Sequence, residues 1–232
     1  MKKNKDFLII IPARSGSKRI KNKNIVDLNG KPLIYYTIKN ALDLRNICDH
    51  IFTTDSHLIR KTALKYGAYA PFLRPESLAT DEITNIQVMD HAIEYLKNHE
   101  SKEYKYYILL QPTSPFRKYQ DVIKAIDNIL EANVDTLASV SGPYQKRHQI
   151  FKKKLSNNNL LLENAFDINQ EIYKYNASIY IVRKKFFSDN LNIHSSTQAY
   201  YRMSEYCIDI DTPEDLEVAR VLMNSKMEFN KN

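Results

Sequence analysis

Segments of strand character alternate with segments of helical period along almost the whole chain, and this alternation is what most restricts its fold. The pairs run Phe7–Ile11 then Leu33–Leu44, His50–Thr54 then Leu58–Tyr66, Tyr69–Leu73 then Ile86–Leu96, and Tyr107–Leu110 then Val122–Leu130. Thr136–Val140 and Ile179–Val182 read as further strands, and a strand at Tyr206–Ile210 leads into a helix over Pro213–Met223. A βαβ rhythm of this kind demands a mainly parallel sheet with helices on both faces, an α/β architecture in three layers. Helix starts agree with it: Asp81 or Thr84 can cap the run into Ile86–Leu96, and Thr212 with Pro213 opens the last helix. One stretch breaks the rhythm. Residues 141–175 hold Gln145-Lys146-Arg147-His148, a lysine cluster and Ser156-Asn157-Asn158-Asn159, and a connection that long in a compact domain reads as an interface arm or a lid. The expectation is one domain over residues 1–232 with 141–175 as its arm.

In α/β folds ligands sit outside the carboxyl ends of the strands. The loop after the first strand, Pro12-Ala13-Arg14-Ser15-Gly16-Ser17-Lys18-Arg19-Ile20-Lys21-Asn22-Lys23-Asn24, places five cations in that position. Backbone amides around Ser15-Gly16-Ser17, together with Arg14, Lys18, Arg19, Lys21 and Lys23, form a pattern suited to phosphate oxygens. The chain has neither G-x-x-x-x-G-K-S/T nor G-x-G-x-x-G, which removes the main support for a kinase-like or dinucleotide-binding reading. Far along the chain, Asp209 and Asp211 alternate across Ile210, so at a strand end both would lie on one face near one hard cation. Asp211 can equally complement the dipole of the helix that starts at Pro213; the basic loop in the same chain favours metal.

Thirty-four Lys and Arg against 27 Asp and Glu leave a formal charge of +7, which fits an anionic ligand: a nucleotide, a nucleic acid or an acidic sugar. Scattered lysines such as Lys152, Lys153, Lys154, Lys184 and Lys185 are a solvated surface and account for most of the excess. Binding of nucleic acid through stacking on the 16 tyrosines predicts basic and aromatic residues on one face, whereas the cations concentrate in one loop, so no nucleic-acid partner is expected. Apolar runs such as Ile108-Leu109-Leu110 fall far short of the ~20 residues that span a bilayer, and Met1–Asp6 lacks a signal-peptide core, giving a cytoplasmic expectation without a membrane partner. Cys48 and Cys207 read as small packed residues with no chemistry of their own.

The first loop, followed by Gly30-Lys31-Pro32-Leu33, resembles the signature of the N-acylneuraminate cytidylyltransferases. Leu73-Arg74-Pro75-Glu76-Ser77-Leu78-Ala79-Thr80-Asp81 is similar to that family's R-P-x-x-L-A-x-D, and Leu110-Gln111-Pro112-Thr113-Ser114-Pro115-Phe116-Arg117 to its L-Q-P-T-S-P-x-R. Asn176-Ala177-Ser178-Ile179-Tyr180 approximates N-G-A-I-Y, and the segment from Ile208 to Leu216 approximates D-I-D-x-x-x-D-L. The resemblance spans nearly the whole chain and implies a Rossmann-like nucleotidyltransferase fold and a homodimer whose arms reach into the neighbouring site. It also implies attack of the anomeric hydroxyl of a nine-carbon 2-keto acid on the α-phosphate of CTP.

By that resemblance Arg14 and Lys23 hold the triphosphate with Lys18 and Asn24 close by, and Arg74 and Asp81 lie near the nucleotide. Backbone groups near Ala13 and at Ala79–Asp81 select the base, and Gln111, with Thr113 and Ser114, lies beside the acceptor together with Lys174 and Asn176. Asp211 is the implied direct ligand of Mg²⁺ (or Mn²⁺) and Asp209 a direct or water-mediated one. Two departures stand out. Family members that use sialic acid carry an arginine shortly before N-G-A-I-Y, whereas Phe166-Asp167-Ile168-Asn169-Gln170 has none, leaving Lys174 or Arg147 as substitutes. Ala177 also replaces the motif's glycine, which with Tyr173-Lys174-Tyr175 suits a legionaminic or pseudaminic acid, sugars richer in acylamino groups. Enzymes acting on 3-deoxy-octulosonate resemble the chain less, because they have an aspartate where Gln111 stands.

Overall fold

The computed structural model describes residues 5–144, 151–156, 159–164, 172–203 and 207–229. Strand β1 (Phe7–Pro12) is followed by a short 3-10 turn at Lys23–Ile25 and a small hairpin of β2 (Asp27–Leu28) and β3 (Lys31–Pro32). Then come α1 (Ile34–Asp43), β4 (Cys48–Thr53), α2 (His57–Lys65), α3 (Asn85–Glu100), β5 (Tyr106–Leu109) and α4 (Tyr119–Ala132). The second half holds β6 (Thr136–Tyr144), β7 (Phe151–Ser156), β8 (Asn159–Asn164), β9 (Ile172–Arg183), α5 (Lys184–Asn190), β10 (Gln198–Arg202) and α6 (Pro213–Phe229).

Six strands form the central sheet in the order β10-β6-β9-β5-β1-β4, all parallel except β9, which runs against both β5 and β6. The continuous apolar run of β1 is buried throughout because helices cover both its faces. Ile9, Ile11 and Ile108 pack on one side with Ile38 of α1, Ala63 of α2 and Val122 of α4. Leu8, Ile10 and Leu109 pack on the other with Met89 of α3 and Phe187 of α5. A third cluster joins Leu216 and Ala219 of α6 to Leu28, Leu33, Phe116 and Ile20. Ile20 is the one apolar residue among the cations of the first loop, and its burial pins that loop to α6.

Two expected strands are absent. Tyr69–Leu73 is irregular: its one backbone bond to the edge strand is Phe52 N–H to Tyr69 O (2.7 Å), the Tyr69 amide goes to the His50 side chain instead, and Pro71 in its middle has no N–H to extend a ladder. Residues 207–210 are also irregular, residues 204–206 lying outside the described part, and Ile210 N–H donates to Thr113 O at 2.8 Å. Conversely, the sequence reading missed β10 and α5. β10 is a short edge strand with only Tyr201 deeply buried, so its pattern is faint. Within the expected arm, β7 and β8 form an antiparallel hairpin, while residues 145–150, 157–158 and 165–171 lie outside the described part.

Of the two proposed caps for α3, Thr84 serves, in a reciprocal capping box with Gln87. Thr212 likewise caps α6: Asp215 N–H donates to Thr212 Oγ1, while Asp215 Oδ2 accepts from the Thr212 amide.

His50 accepts a hydrogen bond at Nε2 from the Tyr69 amide (3.0 Å), and burial lowers its pKa from the usual 6.5. The unfolded chain therefore takes up a proton below about pH 6.5 before the folded chain does, so stability is lost as pH falls through that value. We expect thermal melts between pH 7.5 and 5 to follow this sign, and His50→Gln, which keeps an acceptor without a titration, to flatten the slope.

Candidate active site

Every parallel strand delivers its carboxyl end to one edge of the sheet, and a cleft of about 650 Å³ opens there. It is lined by the first loop, by residues 78–88, by Gln111, Pro112 and Thr113 after β5, and by Asp211. Of the residues singled out from sequence, Arg14, Ser17, Lys18, Lys23, Asn24, Arg74, Asp81, Gln111, Thr113 and Asp211 meet in this one space.

Cations and carboxylates face each other across it in two groups. Arg14 Nη2 and Lys18 Nζ grip the two oxygens of Asp81 at 2.8 and 2.5 Å, and Arg14 Nη1 donates to Thr80 O at 3.1 Å. These cations hold the Asp81 carboxyl below the usual carboxylate range. Lys23 Nζ and Arg19 Nη1 meet Asp211 at 2.8 and 3.4 Å, and Lys23 also donates to Ile210 O at 3.1 Å. Asp211 is thus turned to the cleft, and the cap of α6 is built from Thr212 and Asp215.

Contrary to the sequence reading, the loop amides are largely committed within the fold. Ala13 N–H goes to Thr53 O (3.0 Å), Ser17 N–H to Ser15 O (2.8 Å) and Ser15 N–H to Asp55 Oδ1 (3.0 Å), so side-chain cations dominate this wall. Asn24, buried, donates to Arg14 O at 2.8 Å and shapes the loop from inside. A Cβ built on Gly16 would meet nothing within 4 Å, so the surrounding chain does not demand glycine there.

Asp55 is the supporting residue that sequence reading missed. Its carboxylate also accepts from the Ser15 hydroxyl and faces the buried Arg74 at 3.6 Å, tying the first loop to the floor of the cleft. Burial lowers the Arg74 pKa, and Asp55 opposes that shift. The signal was present: Thr53-Thr54-Asp55-Ser56 also follows a strand of a parallel sheet.

The remaining candidates stand back from the cleft. Ala13, Ser15, Gly16, Ala79, Ser114, Lys174, Asn176 and Asp209 do not line it. Asp209 is half-buried, its Oδ1 has no hydrogen-bond partner, and burial with the nearby Asp211 charge raises its pKa. Asn176 is locked by Ser139, Ser141 and the Ser178 amide, and Lys174 is exposed opposite Ser141 on β6. Phe166–Gln170 and Arg147 lie outside the described residues.

Ala177 adopts φ 55°, the left-handed region that favours glycine. The left-handed conformation costs an L-residue about 1–2 kcal/mol, of which extra unfolded-state entropy would return part on substitution. Ala177→Gly is therefore expected to stabilise the fold by about 0.5–1 kcal/mol in urea unfolding.

The comparisons with known proteins agree with this geometry. Over 232 aligned residues the chain is 36% identical to a CMP-N,N'-diacetyllegionaminic acid synthase of Legionella pneumophila, covering 96% of this chain and 98% of that protein. It is 29% identical to a pseudaminic acid cytidylyltransferase of Campylobacter jejuni, covering 93% and 95%. An N-acylneuraminate cytidylyltransferase of Escherichia coli is 32% identical over 95% of this chain, which spans 52% of that longer protein. Among solved structures, a CMP:2-keto-3-deoxy-manno-octonic acid synthetase complexed with CTP superposes with a TM-score of 0.70 at 19% identity, covering 95% of this chain and 99% of that one. At that identity the likeness establishes the fold: mixed α/β with a mostly parallel central sheet. The cytidylyltransferase family profile matches residues 8–231, taking in both the basic loop and the Asp211 wall that form the cleft, and the chain belongs to that family.

Proposed function

We propose that the protein transfers CMP from CTP to the anomeric hydroxyl of a nine-carbon 2-keto sugar acid of the sialic, legionaminic or pseudaminic class, releasing pyrophosphate. The observation that carries this reading is the pairing of Arg14, Lys18, Arg19 and Lys23 with carboxylates on the far walls of one cleft at the carboxyl edge of the sheet. A triphosphate offers those cations oxygens in exchange for Asp81 and Asp211. Leu78, Ile83 and Val88 give the same cleft an apolar part for base and ribose. Phosphoryl transfer asks the protein mainly for position and charge neutralisation, which this wall of cations supplies.

The divalent cation belongs between the basic loop and the aspartates. The donor set fits Mg²⁺ (or Mn²⁺): Asp211 faces the cleft, the unpartnered Asp209 Oδ1 lies behind it, and substrate phosphates and water complete a hard-oxygen shell. Among the described residues no group of three or more His, Cys, Asp or Glu could hold a metal ion. When bound, such a cation neutralises phosphate charge and polarises the reacting phosphoryl group. In this reading Gln111 and Thr113, which line the cleft, take the acceptor, and the buried Ser114 and Asn176 and the exposed Lys174, which do not line it, support that end.

The 36% identity to a diacetyllegionaminic acid synthase makes a legionaminic-type acid the first acceptor to test. No helix among the described residues is long and apolar enough to cross a membrane; the location proposed is cytoplasmic. For the proposed homodimer, the β9 and β10 end of the sheet offers Tyr173, Tyr175 and Tyr200, 43–54% exposed. Sedimentation reads that state directly.

The deciding experiment is pyrophosphate release with CTP and Mg²⁺ across N-acetylneuraminic, legionaminic, pseudaminic and 3-deoxy-octulosonic acids, with other nucleotides as controls. Turnover of a nine-carbon acid with CTP is the expected result; exclusive use of the eight-carbon acid, or none, overturns the reading.

A further inference from the structure

Arg117 is 2% exposed, and among the described residues its guanidinium bonds only to neutral oxygen atoms. Burial pushes its pKa down to about 10. A cation removed from water without a carboxylate partner is costly, and such groups persist where their geometry is used. Two short bonds fix it: Nη1 donates to Ser178 O on β9 at 2.6 Å and Nη2 to Thr37 Oγ1 on α1 at 2.7 Å. From that fixed position both nitrogens reach Gln111 O, at 3.3 and 3.4 Å, and the Thr37 hydroxyl reaches the same carbonyl at 3.4 Å.

The loop gripped in this way carries both halves of the acceptor end. Gln111 O also receives the Ser114 amide (3.4 Å), and two residues after Gln111 the carbonyl of Thr113 receives the Ile210 amide (2.8 Å), next to Asp211. We infer that Arg117, with Thr37, is a positioning residue that sets the Gln111–Thr113 loop, so that its loss disables acceptor turnover while leaving the cations of the first loop in place. The nucleotide wall hangs instead on Asp55, Asn24 and Ile20, none of which touches Arg117 in any hydrogen bond.

The inference rests on the proposed function for its kinetic arm and stands independently of it in a second arm. Two mild variants test it: Thr37→Val, which keeps shape and removes the hydroxyl, and Arg117→Lys, which keeps charge and removes the fork. In the kinetic arm, with an acceptor that the parent protein turns over, kcat is expected to fall about tenfold for Thr37→Val and about a hundredfold for Arg117→Lys, while KM for CTP stays within about twofold. In the second arm, hydrogen exchange is expected to accelerate at the Ser114 and Ile210 amides and to stay unchanged at β1 amides. Equal damage to CTP binding and acceptor turnover, or exchange rates that rise everywhere or nowhere, overturns the inference. Failure of the parent protein on every acceptor indicts the proposed function alone, and the exchange measurement still decides the positioning role.

Discussion

Asp211→Asn is expected to lower metal-dependent turnover by at least about a hundredfold while the protein melts within about 1 kcal/mol of the parent. The kinetic loss follows from replacing the aspartate that lines the cleft beside Lys23 and Arg19. The small stability effect follows from three features of the site. The Asp211 side chain is 51% exposed, its ion pairs with Lys23 and Arg19 are therefore weak, and the α6 cap is built from Thr212 and Asp215. Mn²⁺ binding in the presence of CTP, followed by electron paramagnetic resonance, is the direct readout and should weaken in parallel. Near-parent activity in Mg²⁺ would move the cation off this carboxylate.

The sequence carried the layers of the fold and the first wall of the cleft because both depend on local chemistry. Apolar runs such as Phe7–Ile11 must be covered on both faces, and a cation-rich loop directly after such a strand has one edge of the sheet to occupy. Where pattern and pairing part company, the sequence was silent. Tyr69–Leu73 has strand composition, but Pro71 denies it a ladder. β10 has little pattern yet pairs with β6 over five residues, because the sheet edge there is open to it.

The site divides in the same way. Charged residues announce themselves, so Arg14, Lys18, Lys23, Asp81 and Asp211 were legible. Which amides remain available was not, since Ser15 is spent on Asp55, a residue 40 positions away. Asp209 and Asp211 read as a pair on one strand face, whereas the chain is irregular there and, of the two, Asp211 alone reaches the cleft. Alternation by two is a property of strands, and it lapses where the strand does.

Lys23→Ala is the second large effect, and it separates phosphate binding from metal binding by sign. Lys23 opens the short 3-10 turn at Lys23–Ile25, its side chain is 16% exposed, and its ammonium sits 2.8 Å from Asp211. Its position is thus fixed by the fold, and its partner is a carboxylate that water already reaches. Removing it should raise KM for CTP about a hundredfold, lower kcat as well, and leave the melt nearly unchanged, because the Asp211 left behind is solvated and still has Arg19. Lys23→Arg should restore part of the loss. The discriminating measurement is CTP affinity in the presence of a chelator. There Lys23→Ala binds more weakly than the parent, whereas Asp211→Asn binds equally or more tightly, since it removes the carboxylate that competes with phosphate for the same ammonium. If both variants weaken metal-free binding to the same degree, Lys23 acts through Asp211 and has no direct hold on the triphosphate.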